Sequence, residues 1–318
     1  MNVKTLVSAF AVAAMMSYGS TTAKAQTPRP EYPRPQFERS EWVNLNGTWT
    51  YSFDFGRTGR DKGWQNNASF DGKITVPFCP ESSLSGVKYT DFINTIWYQR
   101  KIDIPAAWNG KKILLNFGAV DYEAHVFIDG KLVRRHFGTG SSFSCDITKF
   151  VKAGQQHNLV VLVNDNLRDH KQPGGKQSFG FYSAGCNYTR VTGIWQTVWM
   201  EAVAEEGLKS VFATPDIDQK QLVIHPQFYQ ESNTNKLVVT LYDGKKAVAS
   251  KTVNCTNNSV IVLPVKNMKL WSPESPFLYD ITYKVVKDGK TIDEVKSYAG
   301  MRKVHVANGY FYLNNKPY

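Results

Sequence analysis

Apolar residues in this chain come in short runs separated by Gly, Asn, Asp and Pro, and no stretch in its body holds a helical period over about 12 residues. Lys112-Ile-Leu-Leu-Asn-Phe117 reads as a strand buried on both faces. His125-Val-Phe-Ile128 and Lys131-Leu-Val-Arg134 flank Asp129-Gly130, a pair suited to the positive φ angles of a tight hairpin turn. Asn158–Asn164 and Ile194–Met200 continue the β pattern, the second with only loose alternation, which a sheet packed between two layers tolerates. Between them runs a Gly-, Asn- and Ser-rich loop, Asp165 to Tyr188, of a length that in a β domain points to function.

The character shifts near Glu205-Glu206-Gly207. Shorter strands are predicted at Leu208–Thr214, Gln221–Tyr229, Lys236–Tyr242, Val248–Val253, Ser259–Val265 and Leu278–Val286, with hairpin turns at Asp243-Gly244 and Asp288-Gly289. About seven short strands with regular turn signals form the immunoglobulin-like sandwich pattern without its disulfide. Two β domains divided near residue 206 follow from this change.

Residues 1–25 read as a signal peptide. Lys4 precedes a short apolar run, Leu6 to Met16, and Ala23-Lys24-Ala25 is a small-x-small cleavage site, so the mature chain is expected to begin at Gln26 and to be periplasmic or secreted. That run is too short to span a bilayer, and no later stretch approaches the length needed. A Pro-rich segment, Pro28 to Pro35, then runs extended over the surface.

Losing Lys4 and Lys24 takes the formal charge from +11 to +9. The basic residues are scattered, as in Lys111-Lys112, Arg134-Arg135 and Lys245-Lys246, which argues against a nucleic-acid partner; the charge permits, without requiring, affinity for acidic glycans. Cys79, Cys145, Cys186 and Cys255 allow three disulfide pairings that sequence does not choose between, but a chain of this size builds its core without staples, and buried free thiols are expected. Neither the cysteines nor the six histidines show metal-ligand spacing, and no cofactor is implied.

Several motifs, in a fixed order along the chain, now bear on family. Arg190-Val-Thr-Gly-Ile-Trp-Gln-Thr-Val-Trp-Met-Glu201, preceded by Phe117-Gly-Ala-Val-Asp121 and Val126-Phe-Ile-Asp-Gly130, resembles the N-terminal sugar-binding domain of glycoside hydrolase family 2, the family of β-galactosidases, β-glucuronidases and β-mannosidases. Trp271-Ser-Pro-Glu-Ser-Pro-Phe-Leu-Tyr279 resembles the signature of that family's immunoglobulin-like second domain. Gly300-Met-Arg302 and Phe311-Tyr-Leu-Asn-Asn-Lys-Pro317 resemble the beginning of its catalytic barrel. The resemblance implies an all-β chain: a jelly-roll-like β-sandwich over residues 26–206, an immunoglobulin-like β-sandwich over 207–303, and in 304–318 the start of a (β/α)8 barrel that is absent.

It also implies a parent enzyme that is a retaining β-glycosidase, in which one barrel glutamate acts as acid/base and another as nucleophile. Both are expected beyond Tyr318. Glu81, Glu123, Glu201, Glu205, Glu206 and Glu274 offer no replacement, so no catalytic residue is assigned and the chain alone is expected to be inactive. The expected partners are a carbohydrate, as a β-glycoside, and the barrel of the same polypeptide. A first-domain loop of this family reaches over the sugar pocket. The aspartate found there in some β-galactosidases corresponds by register to Asn187, which hydrogen-bonds hydroxyls but places no negative charge.

Tyr182-Ser-Ala-Gly-Cys-Asn-Tyr188 mixes aromatic faces for stacking on pyranose rings with amides for reading hydroxyls. Tyr182, Asn187 and Tyr188 are therefore candidate substrate-binding residues, with a well-packed structural loop as the competing reading; Asp121, at the end of a strand that could face the barrel, is a further candidate, with a satisfied turn residue as its competing reading. Arg190, Trp195 and Trp271 are expected to be structural, the tryptophans in cores. Two functional classes stand: the non-catalytic front part of an exported glycosidase, or a stand-alone carbohydrate-binding or scaffold protein from a shortened gene. Residues 307–318 have no core of their own and are expected to be disordered without a barrel.

Overall fold

The computed structural model describes residues 27–67 and 69–318, and the signal peptide read in residues 1–25 lies outside them. A six-stranded antiparallel sheet runs in the order Gly72–Val76, Gly47–Phe53, Thr95–Asp103, Gln156–Asn164, Glu123–Ile128, Lys131–Phe137. A four-stranded sheet faces it, in the order Trp42–Asn44, Val198–Val203, Lys112–Phe117, Phe143–Asp146. The core between them holds Trp49, Ile96, Tyr98, Leu115, Phe117, Val126, Val161 and Met200.

The unbroken apolar run Leu159–Val163 has a specific cause. One side of that strand faces the inter-sheet core, while Val160 and Leu162 on the other join Phe70, Trp97 and Phe127 in a second cluster capped by Trp64. Both faces are buried, so the alternation expected of a half-exposed strand is lost. The hairpin at Asp129-Gly130 forms as its sequence predicts, with φ of 47° and 79°.

The predicted strand Ile194–Met200 is broken in two. Gly193–Ile194 pairs with Val120–Asp121, whereas Val198–Val203 pairs with Lys112–Phe117. The partner chain bends at Gly118, whose N–H donates to Thr197 O, and a Cβ on Gly118 would lie 2.6 Å from that of Gln196. Trp195 sits in the break. It is half-buried with its indole N–H on Thr139 O, outside the core position expected for it.

The second sandwich packs a three-stranded sheet, Leu208–Asp216, Gln221–Phe228, Ile261–Pro264, against a four-stranded one, Lys246–Cys255, Ser232–Asp243, Tyr279–Lys287, Lys290–Ala299. Its turn at residues 243–244 is displaced by one, because Asp243 closes a strand and Gly244-Lys245 make the turn. Trp271 is half-buried under the Arg302 guanidinium, 4.7 Å from its ring, and does not belong to the core.

A buried ionic network joins the sandwiches. Arg39 forms a fork onto Asp293 (2.9 and 3.0 Å), reaches Glu201 (3.3 Å) and donates to Leu208 O. Glu201 also accepts from Arg34, Tyr32 and Trp199. Burial pushes its carboxyl up, but Arg34, the Trp199 indole, Arg39 and Tyr32 outweigh that and hold it below the usual range. The Pro-rich segment is thus strapped down by side chains: Tyr32 and Arg34 insert while Pro28 O and Arg29 O accept from Asn46 and Asn44.

Residues 307–318, expected to be disordered without a barrel, lie instead in regular structure with residues 304–306. Val304–Ala307, Tyr310–Leu313 and Lys316–Pro317 form an antiparallel meander. It is tethered by Lys303 and Asn315 to Asp218, and by Asn314 to Trp271 O. Three strands close enough backbone hydrogen bonds for local order where no deep core is available.

Candidate functional site

The site is built where Val120–Asp121 and Gly193–Ile194 pair, at one end of the first sandwich. The irregular loop after Asp165 folds back over this end, with one 3-10 turn at Leu167–Asp169. Tyr188 N donates to Lys176 O and Ser178 N to Tyr188 O, which ties its two arms together. Gly185, at φ 57°, lets Ala184 and Asn187 exchange backbone hydrogen bonds in a tight turn.

Arg190 is the clamp. Its guanidinium donates to the carbonyls of Ser178, Gly180 and Thr90 and lies 4.0 Å from the Phe92 ring centre. Its structural role is as expected, though its partners are carbonyls and an aromatic face.

Tyr182, Asn187 and Tyr188 are all exposed on this loop, Tyr182 at 84% and Tyr188 at 48%, with Phe181 at 56% beside them. Asp121 is elsewhere. It is 1% exposed beneath the loop, where its Oδ2 accepts from Gln177 Nε2 (2.9 Å), and Gln177 Oε1 in turn accepts from Val191 N. Expected as a sugar contact, it supports the loop from below.

Asp121 belongs to a buried carboxyl cluster that sequence reasoning missed. Glu81 accepts from Thr192 N; Asp165 accepts from Gln172 Nε2 (2.6 Å) and Thr192 Oγ1 (3.0 Å). Burial pushes all three carboxyls up: Asp121 to about 8, helped by the Asp165 and Glu81 charges, Glu81 to about 7, and Asp165 to about 6. Among the described residues, Glu81 Oε1, Asp121 Oδ1 and the Tyr98 hydroxyl have no hydrogen-bond partner. These residues lie far apart in sequence on unrelated segments, so no spacing signals their meeting. Chemically the outer layer can stack on a sugar ring and read hydroxyls, whereas the carboxyls lie too deep to protonate a bound glycoside. None of the four cysteines is bridged, but only Cys145 and Cys255 are buried; Cys186 stands exposed on the loop and Cys79 is intermediate.

The model of the glycosyl hydrolases family 2 sugar-binding domain matches residues 42–203, and that of glycosyl hydrolases family 2 matches 207–302. The chain belongs to glycosyl hydrolase family 2. Within the family it is 26% identical to the β-glucuronidase of Sus scrofa over 313 residues, covering 88% of this chain and 47% of that protein. The β-glucuronidase of Paenibacillus borealis is 24% identical over 296 residues, covering 87% and 48%. The β-galactosidase of Thermoanaerobacter pseudethanolicus is 25% identical over 241 residues, covering 72% and 31%. The apo structure of the β-glucuronidase of Ruminococcus gnavus shares the fold, with a TM-score of 0.74 at 22% identity over 90% of this chain and 49% of that one. The chain therefore spans about half the length, or less, of these family 2 relatives.

Proposed function

We propose that this chain is the N-terminal, non-catalytic part of an exported family 2 β-glycosidase. Its two sandwiches position the Asp165–Tyr188 loop at the rim of a sugar pocket and support a barrel in the same polypeptide. The observation that carries this reading is the exposure of Tyr182, Asn187 and Tyr188 on one loop that Arg190 and a buried carboxyl layer hold in shape. An exposed apolar surface on the terminal meander, with Val304 at 52%, Val306 at 72% and Tyr310 at 66%, fits a covering partner such as the barrel. Similarity to β-glucuronidases and a β-galactosidase favours a β-glycoside as substrate.

The purified chain, given p-nitrophenyl β-D-glucuronide or β-D-galactoside, is expected to show no turnover above buffer. Hydrolysis abolished by changing one residue of the chain would overturn the assignment. N-terminal sequencing of the exported protein tests the signal: the expected first residue is Gln26, and an intact Met1 would contradict export by cleavage.

A further inference from the structure

We propose a second glycan-binding surface, for a carboxylate-bearing polysaccharide, on the outer face of the six-stranded sheet. It is independent of the loop site.

Strand register defines it. Lys73 and Gln99 each stand directly opposite Thr50, and Lys101 stands opposite Asn158. Residues opposite one another in a sheet point to the same face, as do Gln99 and Lys101, two apart on one strand. The result is an open cleft of about 620 Å³ whose lining includes Thr48, Thr50, Lys73, Gln99, Lys101 and Asn158. It lies at the far end of the strands from the loop. Lys101 faces Asn158 whereas Thr95, near the loop, faces Asn164, six residues away and therefore roughly 20 Å along the strand.

The chemistry of the cleft is specific. Lys73 and Lys101 are exposed, and neither forms a salt bridge with a described residue. Asp129, whose carboxyl feels the Lys101 charge, is already engaged by His157 and the N–H of Asn158, and Asp103, two residues along the same strand, accepts from Gln156. Gln99 Nε2 donates to Asn158 Oδ1 (3.1 Å), so the buried Asn158, 6% exposed, orients the half-buried Gln99 amide in the cleft, and Gln99 Oε1 has no hydrogen-bond partner among the described residues. Arg100 is not available, because its guanidinium is committed to Leu45 O and Asn46 O.

Two exposed ammonium groups with no salt bridge among the described residues, beside a Gln99 amide held in place by Asn158, suit a flexible polyhydroxylated chain that carries periodic carboxylates. The ammoniums meet the acids and the Gln99 amide meets hydroxyls. The net positive charge, +11 for the whole chain and +9 once Lys4 and Lys24 are lost, adds long-range attraction to such a polymer.

Affinity electrophoresis in native gels containing polygalacturonate, dextran sulfate or neutral dextran tests this. Polygalacturonate is expected to retard the wild-type chain and dextran to leave it unmoved. Lys73→Glu/Lys101→Glu should weaken polygalacturonate binding about tenfold or more, and Gln99→Ala/Asn158→Ala about threefold. Lys245→Glu/Lys246→Glu makes the same change of net charge on a distant hairpin and should leave most of the binding in place. The proposal is overturned if the two lysine pairs behave alike, or if the Lys73/Lys101 variant binds as wild type. It is also overturned if dextran sulfate binds as strongly as polygalacturonate and ignores the amide variant, which would mark simple charge attraction. Thermal melts of each variant separate lost binding from lost folding.

Discussion

Replacing Arg39 by Met tests whether the buried network at the junction holds the two sandwiches together. The change removes the fork to Asp293, the bond to Glu201 and the donor to Leu208 O, at a guanidinium only 3% exposed. Glu201 keeps Arg34, Tyr32 and the Trp199 indole, so most of the loss falls on Asp293, left with the Leu208 N–H, and on the Leu208 carbonyl. Removing one partner of a buried ion pair costs about 3–5 kcal/mol, and the apolar Met side chain recovers a little of it by burial, so a net loss of about 3 kcal/mol is expected. Urea unfolding of the single variants and of Arg39→Met/Asp293→Leu forms a double-mutant cycle. The double variant should recover about 2 kcal/mol relative to the sum of the singles, because no buried charge is then left alone. Lysine at 39 keeps the charge but not the fork and should rescue less than half. An Arg39→Met cost below about 1 kcal/mol, or single effects that simply add, would refute the view that this network couples the domains.

The loop is expected to be pH-sensitive. The raised carboxyls of Asp121 (about 8), Glu81 (about 7) and Asp165 (about 6) bind more protons folded than unfolded, so their stabilisation is complete below the ordinary carboxyl range and is lost as pH rises through about 6 to 8. Amide exchange across residues 177–192, corrected for intrinsic rate, should show weaker protection at pH 8.5 than at 5.5; stronger protection at 8.5 would refute this. Gly193 has φ 78° and a Cβ there would lie 2.1 Å from the Tyr98 hydroxyl, so Gly193→Ala should cost about 3 kcal/mol or more in urea unfolding, and a neutral result would contradict the packing. A native thiol titration should find one fast cysteine, Cys186. Burial pushes the Cys79 and Cys145 thiols to about 12 and Cys255 to about 11, and rapid reaction of Cys145 or Cys255 would contradict their burial.

Much of the all-β architecture was legible because strands and turns announce themselves locally. The Lys112–Phe117 strand falls on its predicted bounds, and the Asp129-Gly130 and Asp288-Gly289 turns lie where their sequences put them. What escaped was non-local. The break at Trp195–Thr197 depends on a bend in the partner strand at Gly118, and the order of residues 304–318 depends on Asp218 and Trp271, far back in the chain. At the candidate site, composition pointed to Tyr182, Asn187 and Tyr188, which the fold exposes together. Asp121 looked the same in sequence as an exposed strand-end acid. Only the loop folded over it, with Gln177 as its partner, makes it a support instead of a contact.

The most direct test of the central claim is steady-state hydrolysis of p-nitrophenyl β-D-glucuronide by the full-length product of this reading frame, comparing wild type with Asn187→Ala and Tyr188→Ala. If the loop forms the rim of the sugar pocket, each variant should keep its melting temperature and lose about tenfold in kcat/KM, chiefly through KM, as expected when a ground-state sugar contact worth about 1.4 kcal/mol is removed. Wild-type kinetics in both variants would contradict it and leave the loop a structural cover.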